Sequence, residues 1–216
     1  KFLSEIHPLI KNQYILISHN GDNNIGEEYE KLIDRKVYKF YCQNLLFSGQ
    51  NIFHIPIGIE NKYYFVNGIL EHFKPGTEKP SLPKVLTAFN LSTNISVRKE
   101  CLNVLSSYKN STILSNRVSS MDFNNLLRKH MFVASPEGNG LDCHRTWEAI
   151  YLGVIPILIK NKFTINFVDL PILLIDKWED ILNFTSQDLI NLYTKIISTK
   201  KTDKAFFDYW FNHIKM

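Results

Sequence analysis

What the chain lacks narrows its class first. Its 216 residues include three cysteines, Cys42, Cys101 and Cys143, and no CxxC pair. An odd, dispersed set argues against a disulfide framework and a structural zinc site, and makes a reducing, cytoplasmic setting the expectation. No run of about 18 apolar residues occurs, so no membrane span is encoded; a membrane-peripheral location stays compatible with that. No secretory leader is visible, and the opening Lys1 is what a processed or excerpted piece of a longer protein would show. No expected strand runs into GxGxxG with an acidic residue about 20 positions on, which removes the dinucleotide-binding fingerprint. There is no DxD motif and no histidine cluster, so neither a metal nor a cofactor is expected. Lys and Arg exceed Asp and Glu by only 25 to 21 and are dispersed. A nucleic-acid footprint is more concentrated than that; a mild positive balance suits small anionic ligands.

What is present is an alternation. With 44% apolar residues there is enough to fill a core. Apolar runs of strand length alternate with amphipathic helical stretches, the pattern of βαβ units. Strands are expected over 13–18, 37–41 and 52–57, with a helix near 25–33. The segment 73–83 then carries three prolines and a glycine, which marks a domain boundary. Beyond it, strands are expected over 85–89, 112–114, 131–134, 154–159 and 172–175, and helices over 97–108, 122–129, 142–152 and 188–198. Thr185 and Asp188 are spaced as a capping box for the last of these. A final aromatic helix is expected over 205–214. The expected organisation is therefore α/β: a first lobe over 1–80, a second over 81–200, and a terminal helix within 201–216. Clefts between such lobes are where ligand sites concentrate.

The chemistry gathers in 130–160. An apolar strand runs into a loop with Pro136, Glu137, Gly138, Asn139 and Gly140, followed by Asp142, a helix bearing Arg145 and Glu148, then Gly153 and a second apolar strand. Ligands of open α/β sheets bind at the carboxyl ends of strands. Glycines let backbone N–H groups come close to a ligand, and the start of the following helix favours phosphate oxygens. Arg145 is suited to a bidentate phosphate contact. Glu148, three residues on, shares its helix face and suits a ribose diol. Plainer roles compete: Asp142 as an N-cap, Arg145 and Glu148 as a helix ion pair, Cys143 as a small packing residue.

The string Asp142, Arg145, Trp147, Glu148, Ala149, Gly153, Ile155, Pro156, Ile157 resembles the D-x-x-R-x-W/F-E-A-x-x-x-G-x-I-P-I/V pattern of exostosin-like glycosyltransferases of the GT-B architecture. Val85 to Asn90 with Thr93, Asn94 and Arg98 looks like the start of that family's C-terminal lobe. Ser18 to Asp22, Tyr41 to Asn44 and Ile55 to Asn61 look like its N-terminal lobe. The resemblance implies two facing Rossmann-like lobes, with a short or incomplete N-terminal one, because only about 80 residues precede the boundary. It implies a nucleotide-sugar donor, a UDP-sugar being favoured, a glycan acceptor, and transfer without a metal. Glu148 would take the ribose; Arg145, Arg98 and the backbone of Gly138, Asn139 and Gly140 the diphosphate; Asn90 the base or sugar; Glu137 the transferred sugar. The general base would be Asp22, with His19 as runner-up, although His-Asn-Gly-Asp is also good turn chemistry. His54 and the aromatics Tyr63, Tyr64 and Phe65 are placed at the acceptor side or the lobe interface. A non-catalytic nucleotide- or glycan-binding module is the alternative.

Overall fold

The structure is a computed structural model that describes residues 1–64, 67–74 and 79–215. Two parallel sheets organise it. The first holds β1 (Tyr14–Ser18), β2 (Val37–Cys42) and β3 (Ile52–His54), in the order β1-β2-β3. The second holds β4 (Leu82–Thr87), β5 (Ser111–Ile113), β6 (His130–Ala134), β7 (Ile155–Ile159) and β8 (Leu173–Ile175), in the order β5-β4-β6-β7-β8. Its helices are α1 (Ile95–Ser106), α2 (Ser120–Lys129), α3 (His144–Tyr151) and α4 (Ser186–Thr199); α5 (Phe207–Lys215) closes the chain. This mixed α/β arrangement is compatible with Rossmann-like lobes. No helix among the described residues is long and apolar enough to cross a membrane.

The second sheet is covered on both faces, which is why its strands read as continuous apolar runs. Val85, Phe132, Ala134, Ile155 and Ile157 pack beneath Cys101 and Leu105 of α1 and Leu189, Tyr193 and Ile196 of α4. The alternate side chains, Leu86 and Val133, pack with Leu127 of α2 and Ala149 of α3. A side-chain period of two thus assigns each strand residue to one layer. In strand order the chain steps from β4 outward to β5, then crosses back to β6 on the other side. The resulting split between β4 and β6 is the switch point where such sheets open a crevice.

The first sheet is smaller. Val37, Phe40 and Cys42 pack with Leu45 and Phe47 on one side, backed by Tyr29 and Ile33. On the other side α5 returns: His213 Nδ1 lies 2.8 Å from the Tyr41 hydroxyl, and the Lys39 ammonium donates to the His213 carbonyl at 3.0 Å. His213 also meets the Phe53 ring edge-on at 4.6 Å. A third cluster, with Trp147, Phe163, Phe167 and Leu170 at its centre, takes in Leu46 and Ile57 and joins the two sheets.

β4 and α1 each end two residues before their expected limits, and three further expectations shift. The segment near 25–33 is a short 3-10 turn, Glu27–Leu32, because Gly26 offers no side-chain cap and Ile25, Tyr29 and Ile33 anchor it only partly buried. Strand β3 stops at His54 instead of running on to residue 57; Pro56 has no N–H for a ladder. Helix α3 starts at His144, not Asp142. Phe65 and residues 75–78 of the proline-rich segment lie outside the described residues. The capping box on α4 is present: Thr185 Oγ1 accepts from the Asp188 N–H at 3.2 Å, and Asp188 accepts from the Thr185 N–H at 2.8 Å. Thr185→Ala is expected to cost about 1 kcal/mol and to lower the melting temperature by about 2–4 °C; an unchanged calorimetric melt would contradict it.

Candidate functional site

At the switch point lies a cleft of about 1030 Å³. Its walls come from the segments that follow β4 (Ala88 to Leu91), β5 (Leu114 to Ser120) and β6 (Gly138 to Cys143), from the first turns of α3, and from Asp22, Ile57 and Asn67 of the first 80 residues. Of the residues expected at a site, Asp22, Asn90, Arg98, Gly138, Asn139, Gly140, Asp142, Arg145 and Glu148 all line it.

Asp142 turns out to be the joint of the site. One carboxylate oxygen accepts from the Ile57 N–H at 2.7 Å, the other from the Trp147 indole N–H at 2.7 Å. Its own N–H donates to Asn44 Oδ1 at 2.8 Å, and Asn44 Nδ2 donates to the Gly21 carbonyl at 2.8 Å. The N-cap role therefore yields to a structural one: the cap position is Cys143, with no side-chain cap bond. Burial pushes the Asp142 carboxyl up to about 7 against the pull of those N–H donors. Asn44, fully buried and at φ 52°, is the partner that sequence reasoning missed. A positive φ favours Asn at such a position, but the pairing of residues 98 apart leaves no local signal.

The glycines serve the protein before any ligand. A Cβ on Gly138 would stand 2.8 Å from Arg98 Nη2, and one on Gly140 would stand 2.9 Å from Asn44 Nδ2. The Gly138 N–H is taken by the Gly140 carbonyl at 3.1 Å. The amides of Asn139 and Gly140 have no protein acceptor among the described residues.

Two guanidiniums face the cleft. Arg98 is buried rather than solvated: Nη1 donates to the Asn90 carbonyl at 2.6 Å and Nε to the Glu137 carbonyl at 3.0 Å. Nη2 is the nitrogen left without a protein acceptor among the described residues. Arg145 is different. Its Nε and Nη1 are sealed from solvent, and among the described residues it has neither a hydrogen-bond partner for them nor an ion pair. Both cations flank Phe89, with ring centroid distances of 5.8 Å for Arg98 and 5.7 Å for Arg145. Burial, aided by the Arg98 charge, lowers the Arg145 pKa from its ordinary value, although a guanidinium stays charged. The carboxylate of Glu148 is buried on the same helix face without a hydrogen bond among the described residues. Burial pushes it up to about 7, the Arg145 charge pulling the other way and Glu60 adding to the rise.

The remaining candidates stand apart. His19 is exposed, pairs with the Pro56 carbonyl at 3.0 Å and does not line the cleft. Glu137 also falls outside the lining; Asn161 Nδ2 donates to its carboxylate at 3.0 Å, and burial raises its pKa. Asn90 lines the cleft, but its Oδ1 is occupied by the Ser92 N–H at 3.0 Å, a turn-making contact. His54 is buried between Phe163 and Phe167, its Nε2 2.6 Å from the Leu45 carbonyl, within the joint between the sheets. Tyr63 and Tyr64 are exposed.

Comparison with models of known protein families finds no match, and no curated protein matches the chain.

Two outcomes follow for stability. Asp142→Asn keeps one acceptor but sets an NH₂ group against a backbone or indole N–H; a cost of about 1–3 kcal/mol is expected in denaturant titration, and an unchanged midpoint would refute the joint. For Glu148 the folded-state pKa lies above the ordinary carboxylate value. Its stabilising contribution is therefore present at low pH and lost as pH rises through about 7. Glu148→Gln, permanently neutral, is expected to gain stability relative to the parent across that window. A difference that is flat with pH would count against it.

Proposed function

We propose that the chain is a glycosyltransferase of the exostosin-like, GT-B kind, moving a sugar from a nucleotide-sugar donor, a UDP-sugar being favoured, to a carbohydrate acceptor in surface-glycan or polysaccharide synthesis. The observation that carries the reading is the pair Arg145 and Glu148 in the switch-point cleft. A half-buried guanidinium with two sealed nitrogens and no hydrogen-bond partner among the described residues is costly to keep, and an anionic ligand relieves that cost. A diphosphate meets Arg145, the open Nη2 of Arg98 and the amides of Asn139 and Gly140. A ribose diol meets Glu148 along the same helix face. The sequence resemblance assigns the same two residues the same two roles.

The chemistry needs no more than this on the donor side. Charge develops on the leaving nucleoside diphosphate, and fixed cations and N–H groups stabilise it without rearranging. The small first sheet favours a second reading, a nucleotide-binding module without turnover; it predicts the same binding and no sugar transfer.

Calorimetry with UDP, GDP and CMP on the full chain is the test. One nucleotide, UDP, is expected to bind selectively, and to do so equally in EDTA. Arg145→Ala and Glu148→Ala are each expected to weaken it about 10–100-fold, the worth of a hydrogen bond to a charged group. Absence of binding by every nucleotide to folded protein, or full affinity in both variants, would overturn the reading.

A further inference from the structure

On the basis of that reading, we infer that His144 is the general base of the transfer, taking the proton of the acceptor hydroxyl on Nε2. His144 opens α3 and lies four residues before Glu148, so both sit on the helix face that lines the cleft. Its Nδ1 stands 2.8 Å from the carbonyl oxygen of Gly58. A carbonyl can only accept, so Nδ1 carries the proton, and in the neutral ring Nε2 holds the lone pair. Nε2 has no protein partner among the described residues. The carbonyl thus does for this ring what an orienting third group does in nucleophile–base pairs: it sets tautomer and direction.

The location suits the task. Gly58 follows β3 in the first 80 residues, whereas His144 precedes Arg145 on the helix of the second sheet. The imidazole therefore links the wall that carries Arg145 to the segment of Ile57 and Gly58, both His144 and Ile57 lining the one cleft. Asp22 also reaches the cleft, but it is exposed and no hydrogen bond among the described residues fixes its carboxylate. His19 is outside.

The step balances without any co-reactant. The acceptor O–H bond breaks and its proton goes to Nε2. The freed oxygen pair bonds the anomeric carbon from the side opposite the diphosphate. The bond from that carbon to the phosphate oxygen breaks, and its electron pair leaves on the nucleoside diphosphate beside Arg145. The imidazolium then returns its proton to water. The product is inverted at the anomeric carbon.

The test uses His144→Asn in the full chain. Asparagine keeps an N–H for the Gly58 carbonyl and removes Nε2. UDP release is followed from UDP-glucose, UDP-galactose, UDP-N-acetylglucosamine and UDP-glucuronate, with mixed oligosaccharides and with water as acceptor. UDP affinity and melting temperature are expected to match the parent, donor KM to stay within about twofold, and kcat to fall about 10²–10⁴-fold. Added imidazole is expected to restore part of kcat in His144→Gly. A parent-like kcat in His144→Asn, a loss confined to KM, or a larger loss in Asp22→Asn would overturn the assignment while leaving the donor site intact. No UDP release by the parent from any of the four donors would overturn it and the transferase reading together, and failure of UDP, GDP and CMP alike to bind would remove the donor site itself.

Discussion

The carboxylate of Asp142 is the contact on which the cleft depends. It accepts one N–H from Ile57 and one from Trp147, and its own amide reaches Asn44. Two of these partners come from the first sheet's connections and one from α3, so a single residue sets the loop after β6, the start of the helix and the separation of the two walls. It also explains why the helix begins at His144: the Asp142 side chain is engaged by Ile57 and Trp147 and does not cap it. Trp147, fully buried, locks the helix roll, and that roll decides that His144, Arg145 and Glu148 face the cleft.

Given that roll, the electrostatics follow. Arg145 is half-buried beside Cys101, Phe89 and Arg98 with no ion pair of its own among the described residues. Arg98 spends two nitrogens on carbonyls that hold the loops after β4 and β6 in place, so it shapes the cleft as much as it charges it. Two neighbouring cations in a low-dielectric crevice raise each other's energy. The fold tolerates this because Asp142, the apolar joint around Trp147 and the two-sided core of the second sheet hold the geometry. Binding sites commonly hold such strain against the stability of their surroundings.

Much of the fold was legible in the sequence because parallel strands buried on both faces appear as unbroken apolar runs. The run Val154 to Ile159 and the run Met131 to Ala134 both became strands within a residue of their expected limits. Thr185 and Asp188 announced α4 because a capping box acts over three residues. Failures came where long-range contacts decide. Asn44 and Asp142 pair across 98 positions; His144 and Gly58 pair across 86; neither spacing has a local signature. Glu137 reads on its loop as a ligand-facing carboxylate, and the structure puts it outside the cleft lining with Asn161 donating to it. His19 sits in a plausible turn but bonds the Pro56 carbonyl outside the cleft lining. Local pattern finds the helix that carries the chemistry; only tertiary packing tells which neighbours are already occupied.

Arg145 and Glu148 have no side-chain hydrogen bonds among the described residues, and the proposed nucleoside diphosphate is the ligand that would meet both. A crystal structure of the full chain with UDP tests this most directly. The account predicts phosphate oxygens within hydrogen-bond distance of Arg145 and the ribose hydroxyls on Glu148, with the Asp142 contacts to Ile57 and Trp147 unchanged. UDP seated elsewhere, or in this cleft with its phosphates turned away from Arg145, would contradict it.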